Sequence, residues 1–296
     1  METRWLYHTS ETFPQLVKES KGVCVIPMGC AEKHGLHLPL GTDCFEAEGT
    51  VYEAAKLETV CIFPTFVFGD YSLASPISPV GSVPPGTITL PVETEMLLLE
   101  QLCEQISRNG MKKILIANAH GGNSAWLSTF LRKMYNKKHD FVCAVYGCRS
   151  SQSTKRLYEY LQEHGRGSVP YLTAEDEDYL LEFHATPKIT GHACIGESAV
   201  TMGVYPETVH LDRLGIESGL PTHVADYLKD AGIQIADYGW TQNYPYNYSG
   251  HDPVGLTATI GKAALWIQAQ YMARAFKAFK EDENVLRWHE EMQKGW

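Results

Sequence analysis

The chain has 296 residues, 44% of them hydrophobic, and a formal charge of −10 at pH 7. That composition supports a sizeable core in one large domain, and the negative balance argues against nucleic acid or an anionic membrane surface as a partner. No run of about eighteen apolar residues could span a bilayer. No signal-type apolar region follows Met1-Glu2-Thr3-Arg4-Trp5, which makes the expected location cytoplasmic.

The first predicted element is a buried strand over Val23-Cys24-Val25-Ile26-Pro27-Met28, part of a strand near residues 22–28. Residues 32 to 43 follow: Glu-Lys-His-Gly-Leu-His-Leu-Pro-Leu-Gly-Thr-Asp. Glu32, His34, His37 and Asp43 place four potential ligands within twelve residues. Carboxylate oxygens mixed with imidazole nitrogens suit zinc, manganese or iron better than calcium or magnesium. Pro39 stiffens the loop, while Gly35 and Gly41 permit tight turns. A helix is predicted near 45–57, so Asp43 also fits the role of a plain N-cap.

A strand near 59–67 comes next, then a proline-rich loop over 69–91 and a helix near 92–109. The next strand, near 112–118, ends in Asn118-Ala119-His120-Gly121-Gly122-Asn123 and leads into a helix over 123–137. The two glycines let the backbone pass close to a ligand, and Asn123 is a good N-cap. His120 therefore stands at a strand end beside a helix N-terminus, a second loop built like the first. A strand near 141–146 follows.

Residues 150–190 are polar and weakly periodic, which predicts an active-site flap or an oligomer contact. His192-Ala193-Cys194-Ile195-Gly196-Glu197-Ser198 forms a third cluster. Alone it reads as a polar loop with an acid in a helix first turn. Beside two ligand-bearing loops it becomes a source of a further ligand and a proton carrier. The tyrosine-rich stretch Tyr238 to Tyr248 could line a pocket or pack between subunits, a helix is expected near 257–280, and the tail from Lys280 reads as a charged amphipathic helix end. Strand and helix in alternation imply a mostly parallel sheet.

The eight cysteines, at 24, 30, 44, 61, 103, 143, 148 and 194, contain no Cys-x-x-Cys pair. Several sit inside apolar runs, as expected of reduced, buried thiols. Cys30 and Cys44 flank the ligand loop, within possible reach of a site.

These clusters together resemble the creatininase (creatinine amidohydrolase) family. The likeness runs from Pro27-Met28-Gly29-Cys30-Ala31-Glu32 to Asp43, through Pro85-Gly86-Thr87-Ile88, the 118–123 loop and His192 to Glu197-Ser198, to Gly250-His251-Asp252-Pro253. The resemblance implies a single α/β domain over 1–296, three-layer α/β/α with a mostly parallel central sheet. It further implies two divalent metal ions (zinc or manganese, with iron also compatible), a small-molecule substrate and a homo-oligomer, a hexamer by family pattern. That pattern puts Glu32 and His120 on one metal and His34 on the other, with Asp43 bridging. One departure stands out: creatinine-hydrolysing members carry a glutamate where this chain has Gly122, and Glu197 is the pattern-matched replacement. They also use tryptophans ahead of the third cluster, and none occurs here between Trp126 and Trp240.

The expected chemistry is attack of a metal-activated water on a small, possibly cyclic amide C–N bond, with His192 delivering a proton to the leaving nitrogen and Glu197 as ligand and catalytic acid. His37 would orient a ligand. Two alternatives stay open: hydrolysis of a C–C bond in a cyclic polyol-derived diketone, and a non-catalytic metal-dependent binding protein.

Overall fold

The computed structural model describes residues 1–70, 83–233 and 238–295. In chain order the elements are α1 (Phe13–Glu19), β1 (Val23–Met28), α2 (Thr42–Leu57), β2 (Cys61–Ile62), α3 (Val92–Arg108), β3 (Lys113–Asn118), α4 (Asn123–Tyr135) and β4 (Val142–Gly147). Seven helices follow: α5 (Ser153–His164), α6 (Ala174–His184), α7 (Ile195–Val204), α8 (Asp226–Asp230), α9 (Tyr238–Asn243), α10 (Ala258–Glu281) and α11 (Asn284–Gln293).

The described strands form one parallel sheet in the order β2-β1-β3-β4. Alternation along the two central strands sorts their side chains into two layers. Cys24, Ile26, Met28, Ile114 and Ile116 pack against Leu99 and Cys103 of α3 and Trp126 and Phe130 of α4. Val23, Val25, Leu115 and Ala117 pack instead against Val51 and Ala54 of α2 and Met272 and Phe276 of α10. Helices on both faces of a parallel sheet make the expected three-layer α/β/α arrangement. Both central strands are buried along their whole length, as parallel strands covered on two sides must be.

The strand expected over 59–67 is regular only at Cys61–Ile62. Pro64 has no N–H to give the ladder, so pairing resumes as single contacts, with Phe63 N–H on Val25 O and Phe66 N–H on Pro27 O. Of the proline-rich loop, residues 71–82 lie outside the described residues. The part from 83 onward runs along the ligand loop, where Ile88 N–H donates to Ala31 O at 3.0 Å.

Of the two expectations for 150–190, flap or oligomer contact, the packing bears on the first: beyond Ser150 and Ser151, which line the cavity, the stretch is mostly helix packed on the core rather than a flap. It folds as α5 and α6, and Leu157, Leu161 and Leu180 join Val200, Ile260 and Ala264 in an apolar cluster with α7 and α10. α6 carries a complete capping box, Thr173 with Asp176, which stabilises a helix start that apolar periodicity alone does not reveal. Gly203 of α7 crosses Gly261 of α10 so closely that a Cβ on Gly203 would fall 2.4 Å from Gly261 O. Only glycine permits that approach.

Candidate metal centre and active site

The ligand loop leaves β1, the His120 loop leaves β3, and the segment after β4 carries Arg149, Ser150 and Ser151. All three meet at the C-terminal edge of the sheet, with the start of α7 closing the fourth side. This is where open α/β sheets bind ligands. The cavity there is about 690 Å³ and is lined by Glu32, Asp43, His120, His192, Glu197 and Trp240, among others.

Asp43 sits in the first turn of α2, whose N-cap is Gly41. Its carboxylate is buried and does not cap the helix. Oδ1 lies 3.2 Å from His34 Nε2, while Oδ2 lies 2.9 Å from His120 Nδ1. Glu32 Oε1 lies 2.9 Å from the same His120 Nδ1 and 3.7 Å from His192 Nδ1. Glu197 Oε2 is 3.9 Å from His34 Nε2 and accepts the Ala193 N–H at 2.6 Å. All six residues expected from the sequence therefore converge.

The far side of each imidazole is fixed by main chain. His120 Nε2–H donates to Asp70 O at 2.8 Å and His192 Nε2–H to Lys33 O at 2.7 Å, while His34 Nδ1 faces Glu32 O at 3.2 Å. Each ring thus turns its other nitrogen inward, the arrangement that holds a metal-binding tautomer. Asn118 braces the second loop: its Nδ2–H donates to His120 O at 2.7 Å, and its Oδ1 accepts the His120 N–H at 3.3 Å.

The electrostatics follow from crowding acids and imidazoles out of water. Burial opposes the charge on Asp43, but His34 and His120 outweigh it and hold the carboxyl far below the carboxylate range. Burial likewise opposes charge on His34, yet Asp43 pushes it up to about 9, and Glu32 and Asp43 raise His120 well above the imidazole range. This pocket concentrates negative potential, the condition that favours a bound cation. His192 moves the other way: burial, reinforced by His34 stacked 3.9 Å away, depresses it to about 4. Burial raises Glu197 to about 8, with His34 opposing, and pushes Glu46 in the layer beneath well above the usual carboxylate range.

The donor atoms of Glu32, His34 and His192 lie within 4.8 Å of one another, as do those of Cys30, Glu32 and His120. Glu32 Oε1 and Asp43 Oδ2 are buried and crowd the same His120 Nδ1 without a hydrogen bond of normal geometry. A buried carboxylate oxygen left unpaired is costly, so the donor set fits a metal ion. Burial pushes the Cys44 thiol up to about 12 and Cys30 higher still, so both are neutral thiols.

Three site features differ from the sequence expectations. Asn123 does not cap α4, whose N-cap is Gly122; its side chain instead accepts from Asp70 N–H and Trp126 Nε1–H, both at 3.0 Å. His37 stays away from the carboxylates: its Nε2–H is shared by Ala193 O at 3.0 Å and Ser198 Oγ at 3.3 Å, so it anchors the third cluster. Trp240 stands edge-on to His192, ring centroids 5.6 Å apart, and gives the pocket an aromatic wall. Its distance in sequence from every histidine cluster hid that role; its place in the tyrosine-rich stretch was the available signal.

A parallel α/β/α sheet thus holds an acid–imidazole pocket at its C-terminal edge. The creatininase family description, creatinine amidohydrolase, matches residues 7–276. The creatinine amidohydrolase of Pseudomonas putida is 22% identical over 197 residues, covering 65% of this chain and 68% of that protein. Among solved structures, a manganese creatininase superposes with a TM-score of 0.66 at 17% identity, covering 95% of this chain and 100% of that one. A Zn–Zn form of a glutamate-to-glutamine creatininase variant gives 0.65 at 18% identity over 95% and 100%. The chain belongs to the creatininase family and is a metal-dependent hydrolase of the amidohydrolase type.

Proposed function

We propose that this protein hydrolyses the C–N bond of a small linear or cyclic amide at a two-metal centre. The observation that carries the reading is Asp43, whose two oxygens face different imidazoles, His34 Nε2 at 3.2 Å and His120 Nδ1 at 2.9 Å, with Oδ2 left without a hydrogen bond of normal geometry. A carboxylate so placed, with one oxygen toward each imidazole, would serve as a shared ligand of two ions. Glu32 and His120 would complete one site, and His34 and Glu197 the other, with Glu197 standing in for the side chain missing at Gly122. Zinc or manganese suits these donors, as in the Zn–Zn and manganese relatives.

When bound, two such ions supply Lewis acidity, lowering the pKa of a water and polarising a carbonyl. His192 starts neutral with Nδ1 facing the cavity, so it can accept the proton of the attacking water and return it to the leaving nitrogen. Lys33 O fixes the ring for that transfer. Trp240 packs against His192 and limits water on that side. Chain 1–296 acts as one domain, in a cytoplasmic homo-oligomer, a hexamer by family pattern. Among the described residues no helix is long and apolar enough to cross a membrane.

The test combines metal analysis with hydrolysis assays over linear and cyclic amides. Two metal equivalents with amide turnover support the reading. Two equivalents with turnover of cyclic diketones alone would replace C–N by C–C hydrolysis, and metal without any turnover would leave a binding protein.

A further inference from the structure

We infer that the substrate carries a carboxylate, and that Arg149 reads it at the mouth of the cavity. The inference rests on the amide-hydrolase reading and names its substrate class. Arg149 is the first exposed residue after β4 and lines the same cavity as Glu32, His120 and Trp240. No other lysine or arginine lines that cavity among the described residues.

Its backbone is left-handed, φ 53° and ψ 45°, a region that costs a non-glycine residue free energy and is kept where surroundings impose it. The surroundings here do. Cys148 N–H donates to Asn118 O at 2.8 Å, Gln268 Nε2–H to Cys148 O at 2.9 Å, and Gln152 N–H to Arg149 O at 2.9 Å. The chain is therefore held through a disfavoured turn two residues past the strand end, and the side chain it presents is a guanidinium.

That guanidinium makes no ion pair or hydrogen bond with a described residue, whereas Arg156, one helical turn into the next segment, binds Gln268 and stacks on Tyr271 at 4.5 Å. The fold uses one arginine and leaves the other exposed in the cavity lining. Beside it, Ser150 is 2% exposed, lines the cavity, and approaches Glu46 without a hydrogen bond of normal geometry at Oγ. An unpaired planar fork of donors suits a carboxylate, which accepts two parallel bonds from arginine. Two divalent ions against the carboxylates of Glu32, Asp43 and Glu197 would leave the centre positive, so an anion is not repelled.

The test uses metal-loaded protein with two readouts. Succinate binding is measured by calorimetry on wild type, Arg149→Gln and Arg149→Lys, with metal content and oligomeric state checked for each. Hydrolysis of succinamate is compared with that of neutral butanamide. Arg149→Gln should weaken succinate at least tenfold with metal content unchanged, Arg149→Lys should retain part of the affinity, and succinamate should lose its advantage over butanamide. Unchanged succinate binding in Arg149→Gln, absence of succinate binding by wild type, or a change confined to oligomeric state would each overturn the inference. Succinamate turnover indifferent to Arg149 sinks the inference but spares amide hydrolysis. Arg149-dependent succinate binding with no amide turned over does the reverse.

Discussion

The carbonyl oxygen of Asp70 occupies the space where a side chain on Gly122 would begin. A Cβ built on Gly122 would fall 2.4 Å from Asp70 O and 2.6 Å from His120 Nε2, the two atoms joined by the hydrogen bond that orients His120. The position at which creatinine-hydrolysing relatives are expected to hold a glutamate is thus closed in this chain by its own main chain.

Gly122→Glu should therefore fail to add a ligand. We expect it to displace His120, lower metal content, and destabilise the fold by about 1–3 kcal/mol through overpacking. Metal analysis and thermal unfolding check this. A stable variant with raised metal affinity would show that the Asp70 segment moves aside.

Glu197→Gln tests the replacement carboxylate. With Glu197 3.9 Å from His34, the metal held with His34 should weaken by roughly 10–100-fold and the other less. Asp43→Asn should weaken both. Competitive chelator titration resolves the two sites. Two full equivalents at wild-type affinity in Glu197→Gln would remove Glu197 from the ligand set.

Creatinine should be turned over poorly or not at all. The one aromatic wall identified is Trp240, and loss of a stacking partner costs on the order of 1 kcal/mol per contact. Trp240→Ala should raise KM for the true substrate by roughly two- to tenfold. Steady-state assays decide, and creatinine turnover matching that of genuine creatininases would refute the expectation.

His37 ties stability to pH. Burial holds its pKa at about 4, against an ordinary value of 6.5. In that window the unfolded chain binds the extra proton, so stability is present above about 6.5 and is lost as pH falls towards 4. His37→Gln should flatten this part of the pH–stability curve relative to wild type, measured by chemical denaturation between pH 4 and 7. An unchanged slope would mean that His37 protonates without cost.

Lys33 holds the ligand loop to the rest of the fold, its buried ammonium donating to Glu217 at 2.5 Å and to Tyr246 O at 2.6 Å. Lys33→Met strands the Glu217 carboxylate and should cost about 3–5 kcal/mol. The double variant with Glu217→Leu should recover much of that loss. Recovery of nothing would argue against a true ion pair.

The sequence by itself determined the mostly parallel sheet and the loops that carry Glu32, His34, Asp43, His120, His192 and Glu197, while the helices on both faces were implied by the family resemblance. The sheet and the loops rest on local signals: apolar runs at strand spacing, glycines at strand ends, and donors packed within a few residues. It could not determine which nitrogen of each histidine turns inward, because that depends on carbonyls of Asp70 and Lys33, set by the paths of other segments. Nor could it place Trp240 beside His192, or show α5 and α6 packed where a flap was expected. Their partners lie scores of residues away in the chain. Periodicity reports a segment's own faces; which segment covers them is decided only when the whole chain closes.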